Sequence, residues 1–215
     1  MSPIDFLFRS SEHADRIAIE SATEDVTYAE LRNAANALAV ALQTKDPIPG
    51  STVALCAANS ASYIVAMLAV QAAGKDWLPL DYQGTSDSIH SVLDSAMPAT
   101  VFVDDNGDRL INADSDVKIS FSQFPGLVQT YFGQMPMPLE NLDDEPRSTA
   151  PAGKDEIHAG RNSRLNSADA ASPANEQEDS QANRLVISMP IDLDAGARIA
   201  LCLTQGGRVM LSDSN

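Results

Sequence analysis

The pattern of apolar and polar positions is sharpest over residues 26–81, where two helical stretches alternate with two short apolar runs. Thr27 and Glu30 stand at capping-box spacing, in which the threonine oxygen takes a free N–H of the first turn and the glutamate reaches back to the cap. A helix is predicted to start there. Leu31, Ala34, Ala35, Leu38, Ala41 and Leu42 fall on one of its faces, with Arg32, Asn33, Asn36 and Gln43 mostly on the other, the pattern of a helix covering a sheet. Burying each leucine contributes on the order of 1.5 to 3 kcal/mol, so this face outweighs the cap in holding the helix down. Pro47, Pro49 and Gly50 end the passage. Residues 52–57 read as a buried strand, and Ser60 then caps a helix over 61–73 that is apolar nearly all round and is expected to lie between layers. Gly74 stops it, and 77–80 resumes as a strand. Strand, helix and strand joined by short connections imply a right-handed parallel crossover, hence an α/β fold: a layered α/β/α arrangement with a mainly parallel sheet.

The flanks agree with this unevenly. Residues 3–9 look like a short apolar anchor, and 17–20 reads as a strand that turns through 22–25 into Val26 as a small hairpin. Downstream, Thr85 or Ser86 caps a helix carrying Ile89, Val92, Leu93 and Ala96; Pro98 breaks it, and 99–103 is a strand. Residues 104–108, DDNGD, read as a turn. A further strand over 117–120 and a short helix over 122–132, with Phe124, Leu127, Val128 and Tyr131 inward, close a first sub-domain at 1–132. Residues 133–183 are rich in Pro, Ser, Ala, Asn, Asp and Glu, and ordering them at roughly 1 to 2 kcal/mol per residue exceeds what their few apolar groups return, so a flexible segment is expected. Residues 184–215 add a strand–helix–strand unit at 184–189, 195–204 and 208–211, apolar but with too few neighbours in sight to cover it.

At 215 residues and 44% hydrophobic content the chain is long enough for a sizeable core, mostly aliphatic because aromatics are few. The formal charge of −16 argues against nucleic acid or an anionic membrane as a partner, since both carry the same sign. Cys56 and Cys202 lie in apolar runs without metal-ligand spacing and are read as two reduced core cysteines. The N-terminus lacks a basic stretch followed by a sustained apolar run, and the longest apolar run, 63–73, is about half a membrane span, so a cytoplasmic protein is the default reading. His158 stands in a polar segment, His13 and His90 have no partner pattern, and none is assigned a role. Asp104, Asp105 and Asp108 lack the spacing of a calcium loop, and Gly206 and Gly207 read as a helix C-cap before a strand.

The residues of 26–81 also carry a resemblance. VTYAELRNAANALAVAL, followed by PGSTVALCAANSASYIVAMLAVQAAGKDWLPLD, closely resembles the N-terminal region of AMP-forming acyl-CoA ligases and related adenylate-forming enzymes, over about residues 15–132. The resemblance implies the N-terminal sub-domain of that family. SMPIDLDAGARIALCLTQGGRVMLSD looks like a later segment, in which a proline opens a loop and helix that end in a glycine pair; relatives often place a histidine or aromatic residue three positions after that proline, near the acyl pocket. Here Leu193 stands three after Pro190, followed by Asp194. Between the two regions the family has a glycine-rich loop whose amides and hydroxyls cradle the triphosphate of ATP. Ser148, Thr149, Ala150, Pro151, Ala152, Gly153 and Lys154 occupy that place; Ser148, Thr149, Gly153 and Lys154 are the residues the resemblance offers for phosphate contacts. One glycine of the set remains, and Pro151 removes an N–H donor.

The complete family activates a carboxylic acid with ATP and Mg²⁺ and passes it to CoA. Its adenine-contacting residues, metal-binding glutamate and mobile C-terminal domain would all follow residue 215. The chain is therefore expected to be a truncated or diverged N-terminal portion without turnover of its own, since adenylation needs acid, ATP and metal held in line. Two other readings stay open: a non-catalytic module completed by a protein partner or by the remainder of a larger enzyme, and nucleotide binding without turnover.

Overall fold

The computed structural model describes residues 13–137, 184–188 and 190–212. Strands β1 (Ile17–Glu20) and β2 (Asp25–Thr27) pair antiparallel as the expected hairpin. The capping box forms: Glu30 Oε2 accepts the Thr27 N–H at 2.9 Å, Thr27 Oγ1 accepts the Glu30 N–H, and α1 (Tyr28–Lys45) begins. After it come β3 (Thr52–Cys56), α2 (Ala61–Ala72) capped by Ser60, and β4 (Asp76–Pro79). Gly74, at φ +71°, lets its own N–H reach the Gln71 carbonyl and the Lys75 N–H reach Val70, which satisfies the last carbonyls of α2. Helix α3 (Ser86–Ala96), β5 (Thr100–Val103), α4 (Asp105–Leu110), β6 (Lys118–Ser120) and α5 (Phe124–Thr130) complete this part.

The α/β class holds, with the strands divided over two sheets. One, in the order β4-β3-β5-β6, is parallel throughout. The other contains β1, β2, β7 (Arg184–Ile187) and β8 (Arg208–Leu211) in the order β2-β1-β8-β7, with α6 (Leu193–Thr204) between its last two strands. This corrects the expectation that 184–211 has too few neighbours: β8 pairs parallel with β1, Ile19 opposite Val209, so the hairpin at the chain's start receives the tail. Sequence pattern cannot register a pairing across such a separation, because its warrant is local.

Alternation along β3 sends Val53 and Leu55 to one face and Ala54 and Cys56 to the other. The first face meets α1 and α2 in a cluster that also holds Ile19, Ile187 and Val209 of the second sheet and Ile199 and Leu203 of α6. Helix α2 is buried nearly all round for that reason. The second face is covered more thinly, by Ile89 of α3 and by Ile111. Asn36 is a correction: read from the pattern on the polar face of α1, it is 5% exposed, with its Nδ2 3.3 Å from Met135 Sδ. The segment after α5 lies against that side of α1, where Gln43 also exchanges hydrogen bonds with the Met137 backbone. DDNGD is a second correction. It is the N-cap and first turn of α4, because the Asp104 carboxylate takes the free amides that a turn would have left to water. The anchor read at 3–9 lies outside the described residues.

Candidate functional site

Open α/β sheets bind ligands beyond the carboxyl ends of their strands, where neighbouring connections leave in opposite directions. In the parallel sheet that place is at the ends of β3 and β5, since β3 leads through α2 to β4 on one side and pairs with β5 on the other. Asp104 builds its α4 side. Oδ1 accepts the N–H of Asn106 at 3.1 Å and of Gly107 at 2.7 Å, and Oδ2 accepts the Ala58 N–H at 2.9 Å, tying the two strand ends together. Gly107 comes so close to β3 that a Cβ there would stand 1.9 Å from the Cys56 carbonyl oxygen. Cys56 is fully buried, and desolvation, with the charges of Asp104 and Asp81 behind it, pushes its thiol up to about 11. It is a packing group at neutral pH, not a nucleophile.

On the α2 side, the connection from β7 to α6 comes down onto the β3–α2 junction. The Ile191 N–H donates to Asn59 Oδ1 at 3.2 Å, and the Tyr63 hydroxyl donates to the Ile191 carbonyl at 3.2 Å, so both backbone groups of one buried residue are held by side chains of the other sheet's crossover. Burial holds the Tyr63 phenol well above its usual range, and the nearby Asp192 carboxylate adds to the rise. It stays a donor. Asp192 caps α6 through the Ala195 N–H at 2.8 Å, and α6 then passes so near β4 that a Cβ on Gly196 would stand 2.3 Å from Trp77 Cζ3 and 2.9 Å from Met67 Sδ. The Trp77 ring meets Tyr63 edge to face at 6.4 Å. Leu193, the residue at the acyl-pocket position of the resemblance, is half-buried against the shared core, while Pro190, Asp192 and Asp194 are exposed.

Ser148, Thr149, Gly153 and Lys154 lie outside the described residues, as do Ala150, Pro151, Ala152 and His158. The other singled-out residues are placed. Gly206, at φ +73°, and Gly207 return their N–H groups to Leu203 and Cys202 as the C-cap of α6. His13 lies edge-on to Tyr28 at 6.3 Å. His90, for which the pattern offers no partner, has Nδ1 2.7 Å from the Ser86 carbonyl and accepts the Asn112 N–H on Nε2 at 3.0 Å, joining α3 to the loop after α4. Among the described residues no three His, Cys, Asp or Glu side chains gather as metal ligands, and no helix is long and apolar enough to cross a membrane. Sequence reasoning missed Asn59 and Tyr63. The signal available was weak: an asparagine just before a cap, and a tyrosine in the first turn of an otherwise aliphatic helix.

Comparison with known proteins adds identity to this geometry. The family model for the AMP-binding enzyme matches residues 7–159. Malpinin synthetase of Mortierella alpina is 36% identical over 110 residues, which are 49% of this chain and 1% of that protein. Among solved structures, NpsA-ThdA, an artificially fused adenylation-PCP di-domain NRPS from Klebsiella oxytoca, is similar with a TM-score of 0.68 at 19% identity, over 100% of this chain and 40% of that one. The Klebsiella oxytoca NpsA N-terminal subdomain in complex with 3-hydroxybenzoyl-AMSN is similar with a TM-score of 0.64 at 18% identity, over 100% of this chain and 54% of that one. At such identities the two structures establish a shared fold. The chain spans only a small part of the first curated relatives, from 1% to 8% of their length.

Proposed function

The chain belongs to the AMP-binding enzyme family, and we propose that it forms the N-terminal, acyl-adenylate-binding part of an adenylate-forming enzyme of the peptide-synthetase kind. The observation that carries this reading is the extent of the family match, residues 7–159, which covers the stretch 148–154 that the sequence resemblance offers for phosphate. In the reaction so assigned, a carboxylate oxygen of the acid attacks the α-phosphorus of ATP, which enters with Mg²⁺, and the bond to the departing pyrophosphate breaks. The acyl-adenylate then passes its acyl group to a thiol. The curated relatives favour a carrier-protein thiol over CoA, the acceptor that the sequence resemblance suggested, since they include a linear gramicidin synthase subunit and a dimodular nonribosomal peptide synthase.

Within this reading Ser148, Thr149, Gly153 and Lys154 contact phosphate, and the 190–193 loop forms a wall of the acid pocket. This reading assigns turnover to the chain acting together with the remainder of a larger enzyme or with a protein partner, in keeping with the small share of its relatives that it spans. The relative's N-terminal subdomain crystallised with 3-hydroxybenzoyl-AMSN is the precedent for binding an acyl-adenylate mimic on such a part alone. Calorimetry of the purified 215-residue chain against 3-hydroxybenzoyl-AMSN and against AMP tests the proposal. We expect saturable heat with both and tighter binding of the acyl compound; no heat with either overturns it. Acid-dependent exchange of pyrophosphate into ATP by this chain alone would overturn that joint assignment of turnover.

A further inference from the structure

We propose that Asn59 and Tyr63 are positioning residues that set the acid-facing wall of the pocket, a role that rests on the assignment of the 190–193 loop given above. Ile191 is 3% exposed, and its two backbone groups point to two different side chains, the N–H to Asn59 Oδ1 and the carbonyl to the Tyr63 hydroxyl, each at 3.2 Å. Holding both groups of one residue fixes the peptide planes on either side of it, and with them the directions of residues 190, 192 and 193. A buried backbone N–H or carbonyl left without a partner is costly, so the loop's height over β3 follows these two side chains.

The clasp joins the crossovers of the two sheets. Asn59 and Tyr63 belong to the β3–α2 junction of the parallel sheet, and Ile191 to the β7–α6 connection of the other sheet, 132 and 128 residues away in sequence. Apolar packing, such as that of Gly196 against Trp77 and Met67, tolerates small slides; two hydrogen bonds of opposite polarity on one residue do not. Tyr63 is 3% exposed and donates, so its bond does not change with pH in the neutral range. Of the residues this clasp aims, Pro190 and Asp192 are exposed and Leu193 is half-buried.

The same two probes separate positioning from general damage. Asn59→Ala and Tyr63→Phe are each expected to weaken binding of 3-hydroxybenzoyl-AMSN by about tenfold, the loss of one hydrogen bond, while AMP binding stays within about twofold of the parent chain. Asn59→Asp keeps an acceptor toward the Ile191 N–H and is expected to recover most of the acyl-dependent affinity. Emission of Trp77, the single tryptophan of the chain, checks in each variant that α6 remains docked. Equal losses for both probes, or no loss for either with Trp77 emission unchanged, would overturn the positioning role. If the parent chain binds neither probe, the pocket assignment itself fails and this inference with it.

Discussion

Lys75 Nζ lies 2.9 Å from Asp46 Oδ2, although Lys75 follows directly on the glycine that ends α2 and is only 3% exposed. The ammonium also donates to the carbonyls of Asp46 at 2.5 Å and Ile48 at 2.7 Å and to Ser51 Oγ at 2.9 Å, while Ser51 donates to Asp46 Oδ2. A buried cation is tolerated only when paired and hydrogen-bonded, and here it is both. The proline- and glycine-rich loop 46–51 is thereby wrapped around one charge.

Removing that charge takes the ammonium away from the Asp46 carboxylate, which keeps Ser51 and the Ile48 amide as donors, and from the carbonyls of Asp46 and Ile48. Lys75→Ala is expected to cost about 3 to 5 kcal/mol, read as a lower urea midpoint. Burial alone would raise the Asp46 carboxyl, but hydrogen bonds from Ser51, Lys75 and the Ile48 amide, with the charge of Lys75, outweigh it and hold the group below its usual range. A carboxyl depressed in the folded state contributes stability that is present above the unfolded value and lost as pH falls through the folded one. Urea midpoints should therefore fall more steeply below about pH 4 for the parent chain than for Asp46→Asn; parallel curves would contradict this.

Gly107 has ordinary helical backbone, and its need for hydrogen in place of a side chain is steric. With a Cβ 1.9 Å from a strand carbonyl, α4 must move off β3 or the strand must shift. Gly107→Ala is expected to destabilise by about 2 to 3 kcal/mol despite the better helix propensity of alanine. A neutral or stabilised variant in a thermal melt would show that the contact relaxes.

Tyr28 opens α1, yet its hydroxyl reaches the carbonyls of Leu203 at 3.1 Å and Gly207 at 2.5 Å, at the turn that joins α6 to β8. Tyr28→Phe keeps the ring and removes that link. We expect a loss of about 1 to 2 kcal/mol, with faster amide exchange in α6 and β8 and little change in β3 and β5. Uniform acceleration over both sheets would argue that the tail does not open separately.

Both cysteines are buried, and burial raises both thiols, Cys56 to about 11. Neither is expected to react with a thiol reagent at pH 8 within minutes in the native state, and both should react once urea unfolds the chain. Rapid modification of one native thiol, followed by absorbance, would mean that its strand or helix opens readily.

Local chemistry made much of this fold legible. The Thr27–Glu30 box, the Ser60 and Thr85 caps and the left-handed Gly74 and Gly206 stand where their spacing places them, because each is decided by groups within four or five residues. DDNGD reads as a turn because N-cap and turn draw on the same residue types; the Asp104 carboxylate, which takes the Asn106 and Gly107 amides and reaches the Ala58 amide of another strand end, makes it a cap. Asn36 reads as outward for a similar reason: the segment that covers it begins about a hundred residues later. The candidate clasp on Ile191 was invisible for the same cause, since neither Asn59 nor Tyr63 breaks the pattern around it.

By itself, then, the sequence determined most of the elements and the parallel crossover, which follow from periodicity and caps, and the family likeness, which rests on its motifs. Only the tertiary structure decided that the strands split into two sheets, that β8 returns to β1, and that Ile191 is held by the opposite crossover. Those outcomes depend on hydrogen bonds and apolar faces brought together over more than a hundred residues, where the gain is set by shape in three dimensions and leaves no periodic trace in the chain.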